Sequence, residues 1–191
     1  NTLRIIEAQV LGNVCVARTR TGEWQQAFDA CNQALPVLRE FKEARREGIY
    51  LNRAASALIS IGERERAMKM NLESLRLLEQ VGDRRAQAIT LNDIGLINYH
   101  EASYAKAVEY YAESIRLAKE ANNRGGMAVT LNNLGLVQAI LGELEKSMES
   151  YTQALELFRA TGEREGEVST LTKLGNLTAR LGDQRRAVEL L

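Results

Sequence analysis

One column of leucines constrains this chain more than any other feature: Leu11, Leu51, Leu91, Leu131 and Leu171 stand 40 residues apart, with no insertion between them. Three further columns keep that step. Gly22, Gly62, Gly142 and Gly182 do so with Ala102 in the missing place, as do Ala27, Ala67, Ala107, Ser147 and Ala187, and likewise Leu35, Leu75, Ile115 and Leu155. A strict internal period marks one structural unit used several times, each copy stacked on the next.

Within one unit, Leu131, Leu134, Gly135 and Gln138 fall at three- and four-residue steps, the spacing of one helix face. Leu141-Gly142-Glu143 then interrupts, glycine being able to take the left-handed conformation that closes a helix. Leu144, Ser147, Met148, Tyr151, Ala154, Leu155 and Phe158 resume the helical spacing. Each unit is therefore read as two helices of about 17 or 18 residues joined by a tight turn. Val81-Gly82-Asp83, Asn122-Asn123 and Thr161-Gly162-Glu163 supply the turns between units. A lone amphipathic pair cannot cover both apolar faces, so the expected fold is all-α, an α-solenoid of stacked antiparallel pairs. Gly95, Gly135 and Gly175 on first helices, with Ala107, Ser147 and Ala154 on second ones, would let helices approach closely, and Tyr111 and Tyr151 would fill gaps between units. Pro36 falls inside the second helix of the first unit, where it is expected to kink or shorten that helix.

The register divides the chain into units of about 4–43, 44–83, 84–123, 124–163 and a shortened 164–191, one repeat domain over 1–191 and in this reading a piece of a longer protein. A single proline, few aromatics and abundant Leu, Ala, Glu and Arg agree with helix throughout. Lys plus Arg and Asp plus Glu both number 25, so no overall field draws in phosphate backbones, and nucleic acid is not an expected partner. No apolar run reaches membrane-spanning length, so a membrane is not expected either. Two cysteines, Cys15 and Cys31, are too sparse for a disulfide framework and lack metal-site spacing; free buried thiols in a reducing, cytoplasmic setting are expected.

The run Leu131-Asn132-Asn133-Leu134-Gly135, then Gly142-Glu143-Leu144, Ser147, Tyr151 and Ala154-Leu155, resembles the tetratricopeptide repeat. The longer unit, with Thr130-Leu131-Asn132-Asn133-Leu134, is similar to the extended helix pairs of kinesin light chain and of bacterial regulatory proteins. The resemblance implies a right-handed superhelix whose first helices line an inner, concave wall that binds peptides. Departures occur at Cys15 and Ala55, where the family prefers glycine, and at Asn71, where it prefers an aromatic.

On that wall Asn52, Asn92 and Asn132 recur at the 40-residue step, with Asn13 and Asn133 in the neighbouring place. An asparagine amide offers both a donor and an acceptor, which suits the main chain of an extended peptide. An asparagine ladder of this kind holds a peptide in kinesin light chain, which is what the resemblance implies here; the alternative is that these amides bridge adjacent first helices. Arg53, Asp93, Lys173, Asn176, Tyr99, Ser56 and His100 complete the candidate wall, and their mixed signs argue against a uniformly charged groove. A second column, Arg84, Arg124 and Arg164 with Arg4, and a shorter one, Arg45 and Arg85, would either grip an acidic peptide or phosphate or pair with carboxylates such as Asp83 and Glu163.

Catalysis needs converging groups of tuned proton affinity, and one histidine, His100, offers little; Gly125-Gly126 lacks the Lys-Ser/Thr of a phosphate loop. The expected role is a non-catalytic scaffold for a protein or peptide partner, without cofactor or metal. A repeat segment that regulates an attached signalling domain is one alternative. A solenoid that self-associates end to end through truncated repeat ends is another.

Overall fold

The computed structural model describes residues 2–182. They form nine helices and no strand: α1 Thr2–Arg20, α2 Trp24–Glu40, α3 Ala44–Ser60, α4 Arg64–Gln80, α5 Arg84–His100, α6 Tyr104–Glu120, α7 Arg124–Ile140, α8 Leu144–Thr161 and α9 Arg164–Arg180. Odd-numbered helices are the first members of the pairs. The final second helix expected after Gly182 lies outside the described residues.

The turns explain why the helices are so even in length. A residue of positive φ stands at every twentieth position, at 22, 42, 62, 82, 102, 122, 142, 162 and 182; six are glycine, and the others are Lys42, Ala102 and Asn122. Three residues on from the ends of α3, α5 and α7, a main-chain N–H folds back to a carbonyl in the last turn: Glu63 to Leu58 (2.9 Å), Ser103 to Asn98 (2.9 Å) and Glu143 to Gln138 (2.9 Å). This is the Schellman closure, and it satisfies carbonyls that a helix end otherwise leaves open. At two other turns the residue in this place also caps the next helix with its side chain. Asp83 Oδ1 accepts from the Ala86 N–H (3.0 Å) and Asn123 Oδ1 from the Gly126 N–H (3.2 Å).

The chain divides into two compact units, the first up to Ile97 and the second from Asn98 on. In the first, α1 packs on α2, α2 on α3 and α3 on α4, while α1 also touches α3. Its core runs from Ala8, Cys15 and Ala27 through Leu35, Leu51 and Leu58 to Ile97. In the second, α6 packs on α7, α7 on α8 and α8 on α9, with α7 touching α9. Its buried residues include Tyr111 and Val137, Leu131 and Phe158, and Tyr151 and Leu177. Each unit is thus a stretch of α-solenoid in which helices pair with sequence neighbours and first helices meet the next first helix.

Tyr151 sits over the glycine of its own pair, where a Cβ on Gly135 would lie 2.9 Å from its ring, and it shares a core cluster with Leu174 and Leu177 of α9. Two expectations need correction. Pro36 does not shorten α2, which runs through it for 17 residues. The proline and Asn32, whose carbonyl it deprives of a partner, are both exposed, so water can take over the lost bond. Cys15 and Cys31 are not free thiols but a disulfide across the α1/α2 pair. The two cysteines occupy the register places of Gly135 and Tyr151, which face one another across the α7/α8 pair.

Candidate functional site

The first helices of the first unit enclose a cavity of about 640 Å³, reached from α1, α3 and the start of α5. Val16, Ile49 and Ile89 form apolar parts of its wall. Asn52, Arg53 and Ser56 enter it from α3. The sequence singled out all three, Asn52 for its 40-residue column and Arg53 and Ser56 as candidates on the same wall.

Asn52 is spent on the fold. Its Nδ2 donates to Asn71 Oδ1 of α4 (3.0 Å) and to Asp93 Oδ2 of α5 (2.9 Å), and the residue is 8% exposed. Ser56 Oγ donates to the same Asp93 oxygen, and Asn92 Nδ2 approaches Oδ1 at 3.3 Å. Asp93 is buried, and burial raises its pKa above the ordinary aspartate value despite the three donors from Ser56, Asn52 and Asn92. This network ties the first helix of the second pair to that of the third. Asn71 stands at the register place of Tyr111 and Tyr151 in later pairs, a polar group where they have a ring. Asn71 Nδ2 has no partner.

Arg53 is half-buried with its guanidinium 5.5 Å from the centre of the Tyr50 ring. Asn13, on α1, is exposed. Of the arginine columns, Arg45 pairs with Asp83 (2.7 Å) and Arg4 with Glu40 (2.6 Å), the structural outcome weighed for them.

In the second unit, a cavity of about 570 Å³ includes Asn132 of α7 and Glu163, Arg164 and Glu165 at the start of α9. Asn132 Oδ1 accepts from Thr170 Oγ1 (3.2 Å) and Lys173 Nζ (3.1 Å), again joining one first helix to the next. Lys173 also reaches Ser169 Oγ (3.2 Å), and burial lowers its pKa. Asn133 is half-buried, and Asn176 and His100 are exposed. Tyr99 is half-buried, with its ring centre 5.1 Å from that of His100 and 6.2 Å from that of Tyr104. Burial pushes the Tyr151 hydroxyl up to about 12, with Tyr99 adding to the shift and a bond from Ser147 opposing it.

The structure therefore brings Asn52, Asn92 and Asp93 together, and separately Asn132 and Lys173. Sequence reading noted Asn71 only as a departure from the family pattern and overlooked a row of buried hydroxyls. Ser74 and Thr90 are 3.3 Å apart, and Ser114 and Thr130 are 3.1 Å apart. Both pairs obey the 40-residue step, which was the signal available for them.

Comparison with known proteins agrees with this geometry. Residues 126–191 match the tetratricopeptide repeat family. BtubC from P. vanneervenii superimposes with a TM-score of 0.83 at 16% identity, over 98% of this chain and 78% of that one. A Rap protein complexed with competence and sporulation factor gives 0.86 at 15% identity, over 96% of this chain and 52% of the other, about half its length. The TPR-like repeats of a kinesin light chain from Podospora anserina give 0.72 at 12% identity, over 95% and 90%. No curated protein is significantly similar in sequence. At these identities the structural likeness speaks for the fold, and the matched segment, residues 126–191, carries the tetratricopeptide repeat.

Proposed function

We propose that this chain is a non-catalytic scaffold that binds a peptide or helical segment of a partner protein along the solvent faces of its first helices. The observation that carries this reading is that each unit has a cavity at the junction of successive first helices, walled by apolar residues and edged by polar ones. Such a surface can bury an apolar side chain of a ligand while hydrogen bonding the flanking main chain. The Rap neighbour is named as a complex with competence and sporulation factor, which supports a ligand-binding role for this fold. Within the wall, Asn13, Arg53, Asn92, Tyr99, Asn133, Lys173 and Asn176 keep some exposure and are the contacts this reading favours. Asn52, Asp93 and Asn132 act one layer below, holding the helices that present them.

The test is cross-linking from photoreactive residues placed singly at Asn13, Arg53 and Asn176 on first helices, and at Arg76 and Thr152 on second helices, with a pool of short random peptides as ligand. Cross-links from the first group alone are expected. Equal labelling from the second group, or none from either, would sink the reading.

A further inference from the structure

The two cavities are the same place in the repeat. Ile49, Asn52, Leu78, Asp83, Ala86 and Ile89 of the first correspond, two 40-residue steps on, to Val129, Asn132, Phe158, Glu163, Gly166 and Ser169 of the second. Their charges do not correspond. Glu163 and Glu165 flank Arg164 in the second cavity, whereas Arg20, Arg45, Arg53 and Arg85 line the first, with Asp83 the one lining carboxylate. Asp83 is already paired with Arg45, and no ion pair holds Arg20, Arg53 or Arg85 among the described residues. A balanced chain has thus concentrated three uncompensated guanidinium groups around one apolar hollow, and Glu165 stands where Arg85 does two repeats earlier.

From this we infer that the first-unit cavity selects an acidic peptide segment, its carboxylates meeting Arg20, Arg53 and Arg85 and an apolar side chain entering between Val16, Ile49 and Ile89. The inference rests on the peptide-binding reading above and adds the ligand's chemistry. The guanidinium groups come from three successive first helices. Neighbouring helix axes lie about 10 Å apart, so the row spans at least ~20 Å, the reach of about six or more extended residues. A single small anion meets one end of such a row, whereas a peptide with spaced carboxylates meets all of it. The planar fork of arginine suits a carboxylate in two parallel hydrogen bonds. The apolar wall favours a peptide over a nucleic-acid backbone, which brings charge without an aliphatic side chain.

The experiment measures retention of three pools of short random peptides, enriched in Asp and Glu, in Lys and Arg, or in Ser and Asn, and of a random single-stranded RNA, on the whole chain. It is repeated with the triple variant Arg20→Gln, Arg53→Gln, Arg85→Gln and with Arg76→Gln, an exposed change on α4. Thermal melts check that both variants fold. The acidic pool should bind best, weaken with added salt, and lose about tenfold or more in affinity in the triple variant while Arg76→Gln leaves it unchanged. Equal retention of all three peptide pools, unaltered in the triple variant, would overturn the acidic selectivity and leave the peptide scaffold standing. No retention of any peptide would overturn both, and preferential retention of RNA would overturn the assignment of a peptide ligand.

Discussion

Replacing Gly135 with leucine strikes the contact on which the helix pair of α7 and α8 depends. A Cβ at this position would lie 2.9 Å from Cδ1 and Cε1 of Tyr151 and 3.2 Å from Cγ, against an ordinary carbon contact of about 3.5 to 4.0 Å. The ring cannot simply retreat, because Tyr151 is 2% exposed, and Ser147 Oγ donates to the Gly135 carbonyl (2.7 Å), fixing the backbones at this spacing. Overpacking costs about 1 to 3 kcal/mol, and the bulk of leucine places this variant toward the upper end. Leucine is a better helix former than glycine by about 0.8 kcal/mol, so the net loss should be ~2 kcal/mol. Urea unfolding measures it directly. Tyr151→Ala alone should cost about 3 to 5 kcal/mol, but in that background Gly135→Leu should be nearly neutral, a coupling of ~2 kcal/mol. Equal cost for Gly135→Leu in both backgrounds, or no cost in the parent, would refute the packing argument.

Three other outcomes follow from the same structure. Ala102 has φ of 55°, a conformation disfavoured for residues with a Cβ, so Ala102→Gly should stabilise the protein by about 1 kcal/mol in thermal or urea melts, whereas Gly62→Ala should lose a similar amount. Reduction of the Cys15–Cys31 bond, which closes a loop with a sequence separation of 16, should lower stability by about 3 kcal/mol; identical urea midpoints with and without reductant would contradict it. The folded-state pKa of Asp93 is raised by burial, so its protonated form favours the folded state. That contribution is fully present below the ordinary aspartate value of 3.8 and is lost as pH rises through the folded-state value. Parent stability relative to Asp93→Asn should therefore fall across that window, and a constant difference between the two would contradict the burial argument.

Much of the fold was legible because each helix pair repeats the same arithmetic. An apolar step of three and four residues, interrupted by a turn at a fixed interval, leaves few arrangements that bury every stripe. The left-handed turn residues at Lys42 and Asn122 carry no glycine signal of their own, yet their places follow from the register of Gly22, Gly62 and Gly82. The disulfide was legible in the same way and was missed by counting cysteines alone: Cys15 and Cys31 sit at the opposed places that Gly135 and Tyr151 fill three repeats later.

The candidate site was harder to read because an asparagine has one amide and several possible customers. Spacing placed Asn52 and Asn132 on the first helices correctly, but whether an amide faces a ligand or a neighbouring helix depends on side chains contributed from elsewhere. For Asn52 these are Asn71 and Asp93, and for Asn132 they are Thr170 and Lys173. The arginine cluster was hidden for a related reason. Arg20 belongs to no column, and its convergence with Arg53 and Arg85 requires three helices to be in place first.

Amide hydrogen exchange, resolved residue by residue across 2–182, is the most direct measurement of the claim that a 40-residue register of helix pairs organises this chain. Slow exchange is predicted at the buried Leu51, Leu91 and Leu131, with protection falling at each left-handed turn from 22 through 162. Protection running unbroken through Gly62, Asn122 or Gly142, or unlike protection at those three leucines, would contradict it.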